Sequence, residues 1–346
     1  MSIRNTAAVA LGLALAAPSL VSPLLAQETP YRVAARHVVG GEGGWDYLAV
    51  DSVGRRVFVT RSNRVSAVDL ATGKVLAEMP GLSRGHGVAF DYARGHGFAT
   101  SGADSTVVMF DLATLKELGR TTAAIDADAI LYDRVSDRVF TFNGDAGTAS
   151  VIDPTGPRRV ATIDLAGKPE FAVSDGHGRI FVNIADKSEI AAIDAKTRTI
   201  VRRWSIKPCD DPSGLAIDRA HARVFTVCGN KLMAVSDAAR GRLVTTLPIG
   251  AGVDGAAFDP SSGNAFASNG EGTITVVHED SPTRFHVAQT LSTMTGARTI
   301  TIDPVSHRIY TFGATYGAAP AAATKENPRR RAPIVPGSAT VVVIER

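Results

Sequence analysis

Short apolar runs, each closed by an aspartate, recur along the chain: YLAVD (47–51), GVAFD (87–91), AILYD (129–133), FAVSD (171–175), GLAID (214–218), GAAFD (255–259) and TITID (299–303). The closing residues Asp51, Asp91, Asp133, Asp175, Asp218, Asp259 and Asp303 lie 40, 42, 42, 43, 41 and 44 residues apart. After each come turn residues and a second run: RVFVT, HGFAT, RVFTF, RIFVN, RVFTV, NAFAS and RIYTF. A third run ends in another turn, as in SAVDLATGK (66–74) and AAIDAKTRT (191–199), and a fourth follows, as in VLAEM, IVRRW and LVTTL. Runs this short, punctuated by Asp and Gly, read as strands and turns rather than helices.

Four strands per copy, repeated seven times at a period near 42, predict an all-β fold, a seven-bladed β-propeller of four-stranded blades. One copy cannot bury both faces of its sheet, so neighbouring copies must stack. The last copy has strands at 298–303, 307–312 and 340–345 but no fourth, and a matching strand stands at 32–39. The N-terminal strand is therefore expected to join the last blade and close the ring. The LAVD…RVFVT…VSAVDLATGKV pattern and its six echoes resemble the YVTN-type β-propeller repeat proteins, the group of the periplasmic YncE-like family. That resemblance implies a periplasmic binding role and, within that family, affinity for DNA.

Charge argues against the DNA part. The formal net charge is +3, and it falls to +2 if residues 1–26, which carry Arg4 and no acid, are removed. That is too near neutral to draw nucleic acid or a membrane surface. Residues 1–26 read as a secretory signal: Arg4, an apolar stretch Ala7–Ala17, and a small-residue exit at Ala26. The expected domain is then 27–346, periplasmic or secreted, without a membrane span, and a monomer. The basic triplet Arg329-Arg330-Arg331 reads as a solvated loop.

Residues that recur in every copy are explained by the fold. The first-turn aspartates and the series Asp69, Asp111, Asp153 and Asp194 are expected to cap turns. The position five before each closing Asp behaves differently, holding Asp46, His86, Asp128, Glu170, Ser213, Asp254 and Arg298. All seven are polar and four are acids, and they should ring one mouth of the central channel. Two readings stay open: a mouth that is simply hydrated, or a site for a small ligand or cation. Asp46, Asp128, Glu170 and Asp254 are the candidate metal ligands, an oxygen-rich set suited to Ca²⁺ or Mg²⁺. Trp45, Tyr47 and Phe171 flank the ring and could floor a pocket, while Asn143, Asn183 and Asn269 end second strands toward the same face.

Other motifs carry less. Gly81-Leu82-Ser83-Arg84-Gly85 matches G-x-S-x-G, yet it spans an inter-blade loop where no nucleophile elbow is expected. His96, His177, His221 and His307 fall in first turns on the opposite face and are expected to be solvated. Cys209 and Cys228 fall in one hairpin and should form a disulfide in an oxidising compartment. Residues 314–339 form a long Ala/Pro/Arg-rich insertion in blade 7, expected to emerge beside the ring. Three function classes follow: a binding protein for a small ligand, cation or protein partner; a metal-assisted lyase or lactonase with His86 as base and Arg298 as anion clamp; and a pure interaction scaffold.

Overall fold

The computed structural model describes residues 1, 29–321 and 332–346. Tyr31–Arg346 form one compact unit, and Met1–Pro30 fall in another. Beyond Met1, the expected signal segment lies outside the described residues, as do Arg329-Arg330-Arg331.

Seven antiparallel four-stranded sheets make up the Tyr31–Arg346 unit. Their first strands are Trp45–Asp51, Gly85–Asp91, Ala127–Asp133, Pro169–Ser174, Pro212–Asp218, Val253–Asp259 and Ile300–Ile302. These strands neighbour one another in that order, and Ile300–Ile302 returns to Trp45–Asp51, so they line a closed ring. The chain is a seven-bladed β-propeller. Blade 7 consists of Ile300–Ile302, Ile309–Gly313, Thr340–Glu345 and, as expected, the N-terminal strand Arg32–Val38. Among the described residues the only helical turn is Ala185–Lys187, so Ser83 sits on no strand-to-helix elbow.

The repeat's aromatic residue explains why the blades stack. Phe58, Phe98, Phe140, Phe225 and Phe266 are fully buried, with Tyr310 at 1% and Phe181 at 5% exposure. Seven apolar clusters result, one at each interface between adjacent blades. Each buried ring is worth roughly 2–3 kcal/mol relative to leaving it in water. The core is therefore distributed around the ring, and the axis is left for polar residues.

The recurrent aspartates do cap turns. Asp51 accepts from the Gly54 amide at 2.9 Å and Asp218 from the Ala220 amide at 2.9 Å. Asp69, Asp111, Asp153 and Asp194 accept from amides two or three residues ahead.

Cys209 and Cys228 form the expected disulfide, their Cα atoms 5.5 Å apart and 19 residues separated in sequence. Both are fully buried beside Trp204 and Leu215. Loop closure of that length is worth about 3 kcal/mol. The Cys209→Ser/Cys228→Ser double variant is thus expected to lose about that much in a urea melt. An unchanged midpoint would show that the bond constrains little.

The two described arms of the blade 7 insertion pair with each other. Val335 donates to the Thr315 carbonyl at 2.8 Å, Gly317 to that of Pro333 at 2.8 Å, and Tyr316 bridges Ile334. The arms emerge on the ring side, where Tyr316, Ala332 and Ile334 border a cleft of about 590 Å³ with Gly44, Trp45 and Arg298.

Candidate functional site

Six first strands share a feature that periodicity cannot reveal. Their ladders with the second strands break after the first residue: between Trp45 and Leu48, Gly85 and Val88, Ala127 and Ile130, Pro169 and Ala172, Pro212 and Leu215, and Val253 and Gly255. The skipped residues include Asp46, His86, Asp128, Glu170, Ser213 and Asp254. A bulge leaves a residue out of the ladder and re-aims its side chain. One repeated irregularity of the fold thus coincides with these polar positions in six blades.

At the centre of the arrangement stands His86. Its Nδ1 lies 2.5 Å from Asp46 Oδ2 and 3.3 Å from Asp128 Oδ1, and its side chain is 9% exposed. A nitrogen between two carboxylates must carry the proton, so Nδ1 is the donor. The ring's other edge faces Gly102, where a Cβ would stand 2.7 Å from Nε2. Gly102 thus makes room for the imidazole, and Nε2 is buried with no hydrogen-bond partner. Asp128 Oδ1 is likewise buried without a hydrogen-bond donor.

Burial penalises the charged form of His86, but the Asp46 hydrogen bond and the two carboxylates outweigh it and raise its pKa. Asp128 is pushed well above the usual carboxylate range by burial, with His86 opposing and Asp46, Glu170 and Asp126 adding. Burial raises Glu170 to about 7, against Lys168, and Asp254 to about 6, where Asp46 adds and Arg298 opposes.

The four candidate metal carboxylates do not act as one set. Asp46 and Asp128 gather on His86, which the sequence reading had left out of the ligand group. Asp254 is taken by Arg298, whose Nε donates to Oδ2 at 2.7 Å, and Glu170 has Lys168 Nζ at 3.6 Å. Arg298 also stands 3.7 Å from Asp46 Oδ1 and donates to the Trp45 carbonyl at 3.3 Å. Ser213 spends its hydroxyl on the Val253 carbonyl at 3.4 Å.

Tyr47 and Phe171 meet edge-to-face, ring centroids 5.0 Å apart. They come from blades 1 and 4, so the contact joins two non-adjacent blades. Burial raises the Tyr47 hydroxyl well above its ordinary value, and Asp128, Asp46, Asp254 and Glu170 all add to it. Trp45 packs between blades 1 and 7 against Phe312 at 5.3 Å, with the insertion's Tyr316 at 6.5 Å, and borders the cleft shared with Arg298. The asparagines depart from the expectation. Asn143, Asn183 and Asn269 are fully buried, and their amides donate to Thr148 and Ser150, to the Ser213 and Gly214 carbonyls, and to Thr273 and Thr275 respectively. They brace the strands and are not presented to the channel.

Sequence reasoning missed a second tier two residues before the ring. Arg84, Asp126, Asp211, Gly252 and Gly296 all have positive φ there, at 56°, 62°, 50°, 69° and 83°. Two copies answer that demand with glycine; three hold a charged residue at a strain of roughly 1 kcal/mol or more. Arg84 pairs with Asp126 at 2.9 Å, and Asp211 adds to the raised values of Glu170 and Asp254. Arg61 was missed as well. Its 2%-exposed guanidinium donates to the carbonyls of Gly40, Glu42, Gly43 and Gly44, fixing the segment that delivers Asp46.

No protein-family model and no curated protein matches the chain. Among solved structures, the β-propeller domain of Myceliophteria thermophila Cps50 (Swd1) is similar, with TM-score 0.68 and 12% identity over 92% of this chain and 100% of that one. Kuenenia stuttgartiensis hydrazine synthase is similar too, with TM-score 0.69 and 13% identity over 87% and 97%. Likeness at that identity carries the seven-bladed β-propeller fold and nothing finer.

Proposed function

We propose that the chain is an exported, YncE-like binding protein whose channel mouth takes a divalent cation on Asp46, His86 and Asp128. The observation that carries this is the buried, donor-less Asp128 Oδ1 beside an imidazole that one Nδ1–H must share with Asp46. A cation supplies the charge this triad lacks. Two carboxylates with one imidazole suit Mn²⁺ or Zn²⁺ better than the Ca²⁺ or Mg²⁺ expected from a larger, oxygen-rich set of four carboxylates and one imidazole. Glu170, Asp211 and Asp254 add negative potential around the mouth, and a small ligand or the tip of a protein partner would then meet the ion above the Tyr47–Phe171 floor.

The geometry favours a binder over a lyase or lactonase. His86 is held between two carboxylates with Nε2 against Gly102, and Arg298 is committed to Asp254, so neither stands free as base or anion clamp. Export, and the role of residues 1–26 in it, belongs to the same proposal; the buried disulfide supports it.

The test is Mn²⁺ or Zn²⁺ binding to chelated protein by calorimetry, with the melting temperature in parallel. Wild type is expected to gain about 3 kcal/mol at a hundredfold excess over Kd. Asp128→Asn should fold normally, because it removes a carboxylate that burial disfavours, and should bind one equivalent of ion fewer than wild type, with a correspondingly smaller gain. A wild type that takes neither ion would end the metal reading.

A further inference from the structure

Glu279 is an exception to the repeat. Leu70, Leu112, Ala195, Ala238 and Glu279 occupy one equivalent position: each donates its amide to the carbonyl just before, or one turn residue before, its blade's second strand, on Arg55, Gly95, Gly178, Ala222 and Gly263. The position faces the preceding blade, and in the other four it is leucine or alanine. In blade 6 it is a carboxylate whose side chain is 3% exposed. Neither Oε1 nor Oε2 has a hydrogen-bond partner.

That carboxylate points at the first turn of blade 5. Its Oε1 lies 3.3 Å from His221 Nδ1, which is already 2.6 Å from Asp218 Oδ2. In four other blades the closing aspartate meets side-chain donors that, among the described residues, serve no second buried carboxylate: Arg56 on Asp51 at 2.9 Å, Arg94 on Asp91 at 2.6 Å, Ser136 and Ser174 on Asp133, and His307 on Asp259 at 2.9 Å. Blade 5 is where a second buried carboxylate joins. The cation nearby, Arg223, donates to the carbonyls of His221, Ala222 and Pro282 and pairs with Asp237 at 3.6 Å. His221 Nδ1 therefore stands between two buried carboxylates, of which Asp218 also accepts the Ala220 and His221 amides and Glu279 has no other donor, and His221 is no mere solvated turn residue.

We propose that Asp218, His221 and Glu279 form a second divalent-metal site, at the far end of the first strand of blade 5 from Ser213, which ties blade 5 to blade 6. The three donor atoms lie within 4.8 Å of one another. An ion with bonds of about 2.0–2.2 Å needs donors about 3–4 Å apart. The His221–Glu279 spacing already meets this, and the His221–Asp218 pair opens by less than about 1 Å once no proton lies between them. On binding, Nδ1 gives up its proton and coordinates through its lone pair, and Nε2 takes a proton from solvent. His221 is 53% exposed, which leaves that side open for water as a fourth ligand. Two carboxylates and one imidazole with a water suit a borderline ion such as Zn²⁺.

The experiment is a Zn²⁺ titration in the Asp128→Asn background, where the channel mouth no longer competes. One equivalent is expected to bind and raise the melting temperature. Glu279→Leu, which restores the residue of blades 1 and 2, should weaken that binding at least tenfold while leaving the metal-free protein as stable or more so. His221→Asn, a change at a half-exposed turn, should weaken binding similarly and guards against a folding defect in the first variant. Unchanged affinity in both variants, or no Zn²⁺ taken up in this background, would overturn the proposal.

Discussion

Metal-free protein is expected to melt at a higher temperature at pH 5.5 than at pH 8. Burial lifts Glu170 from its ordinary 4.5 to about 7, with Lys168 opposing and Asp254 and Asp211 adding. Asp254 moves from 3.8 to about 6, again first by burial, and Asp128 moves the same way. A folded-state pKa above the unfolded one means that the folded chain holds the proton more tightly. The resulting stabilisation is complete below about pH 4 and is lost as pH rises through 6 to 7. The raised His86 contributes with the same sign. Glu279, lifted to about 7 by burial and Asp218, titrates in the same window.

Glu170 alone accounts for something on the order of 2 kcal/mol, after allowance for its partial exposure. Acids held low by turn hydrogen bonds, such as Asp69, Asp153 and Asp194, lose their contribution only below about pH 3.8 and do not disturb this window. Glu170→Gln should flatten part of the slope. A melting temperature that is level or rising from pH 5.5 to 8 would contradict the placement of these acids in a desolvated mouth.

Removing the N-terminal strand should cost more than any single side chain. Arg32–Val38 pairs along Thr340–Glu345, and without it the edge Val341-Val342-Val343-Ile344 is left unpaired. An apolar edge of that kind is a template for association. Tyr31 goes with it: this residue is 6% exposed, packs on Phe266 at 5.1 Å and exchanges hydrogen bonds with Gln289 of blade 6. Its burial alone is worth about 2 kcal/mol. Deletion of residues 31–38 is expected to give aggregation on size exclusion and a broad, lowered melt. A monodisperse variant with the wild-type melting temperature would show that the ring does not depend on this closure.

Both expectations draw on features that differ in how far they could be read from the chain. The closing aspartates, the Phe58 and Phe98 series and the missing fourth strand of blade 7 each follow from local rules of turn and alternation. Those rules act within about forty residues, so a repeat displays them seven times over. The ring positions were legible for the same reason, as a column in which residue type ignores the fold.

What the sequence by itself determined, then, was the blade, its sevenfold repetition, its closure, the disulfide and a column of polar positions. Only the tertiary structure decided which members of that column meet: Asp46 and Asp128 on His86, Asp254 on Arg298, Glu170 beside Lys168. It also decided that Trp45 and the three asparagines turn inward, and that Glu279 reaches a histidine 58 residues earlier in the chain. The physical reason is that pairing at a channel depends on side-chain reach between strands some forty or more residues apart. It depends as well on bulges that aim each residue, and neither leaves a mark on local periodicity.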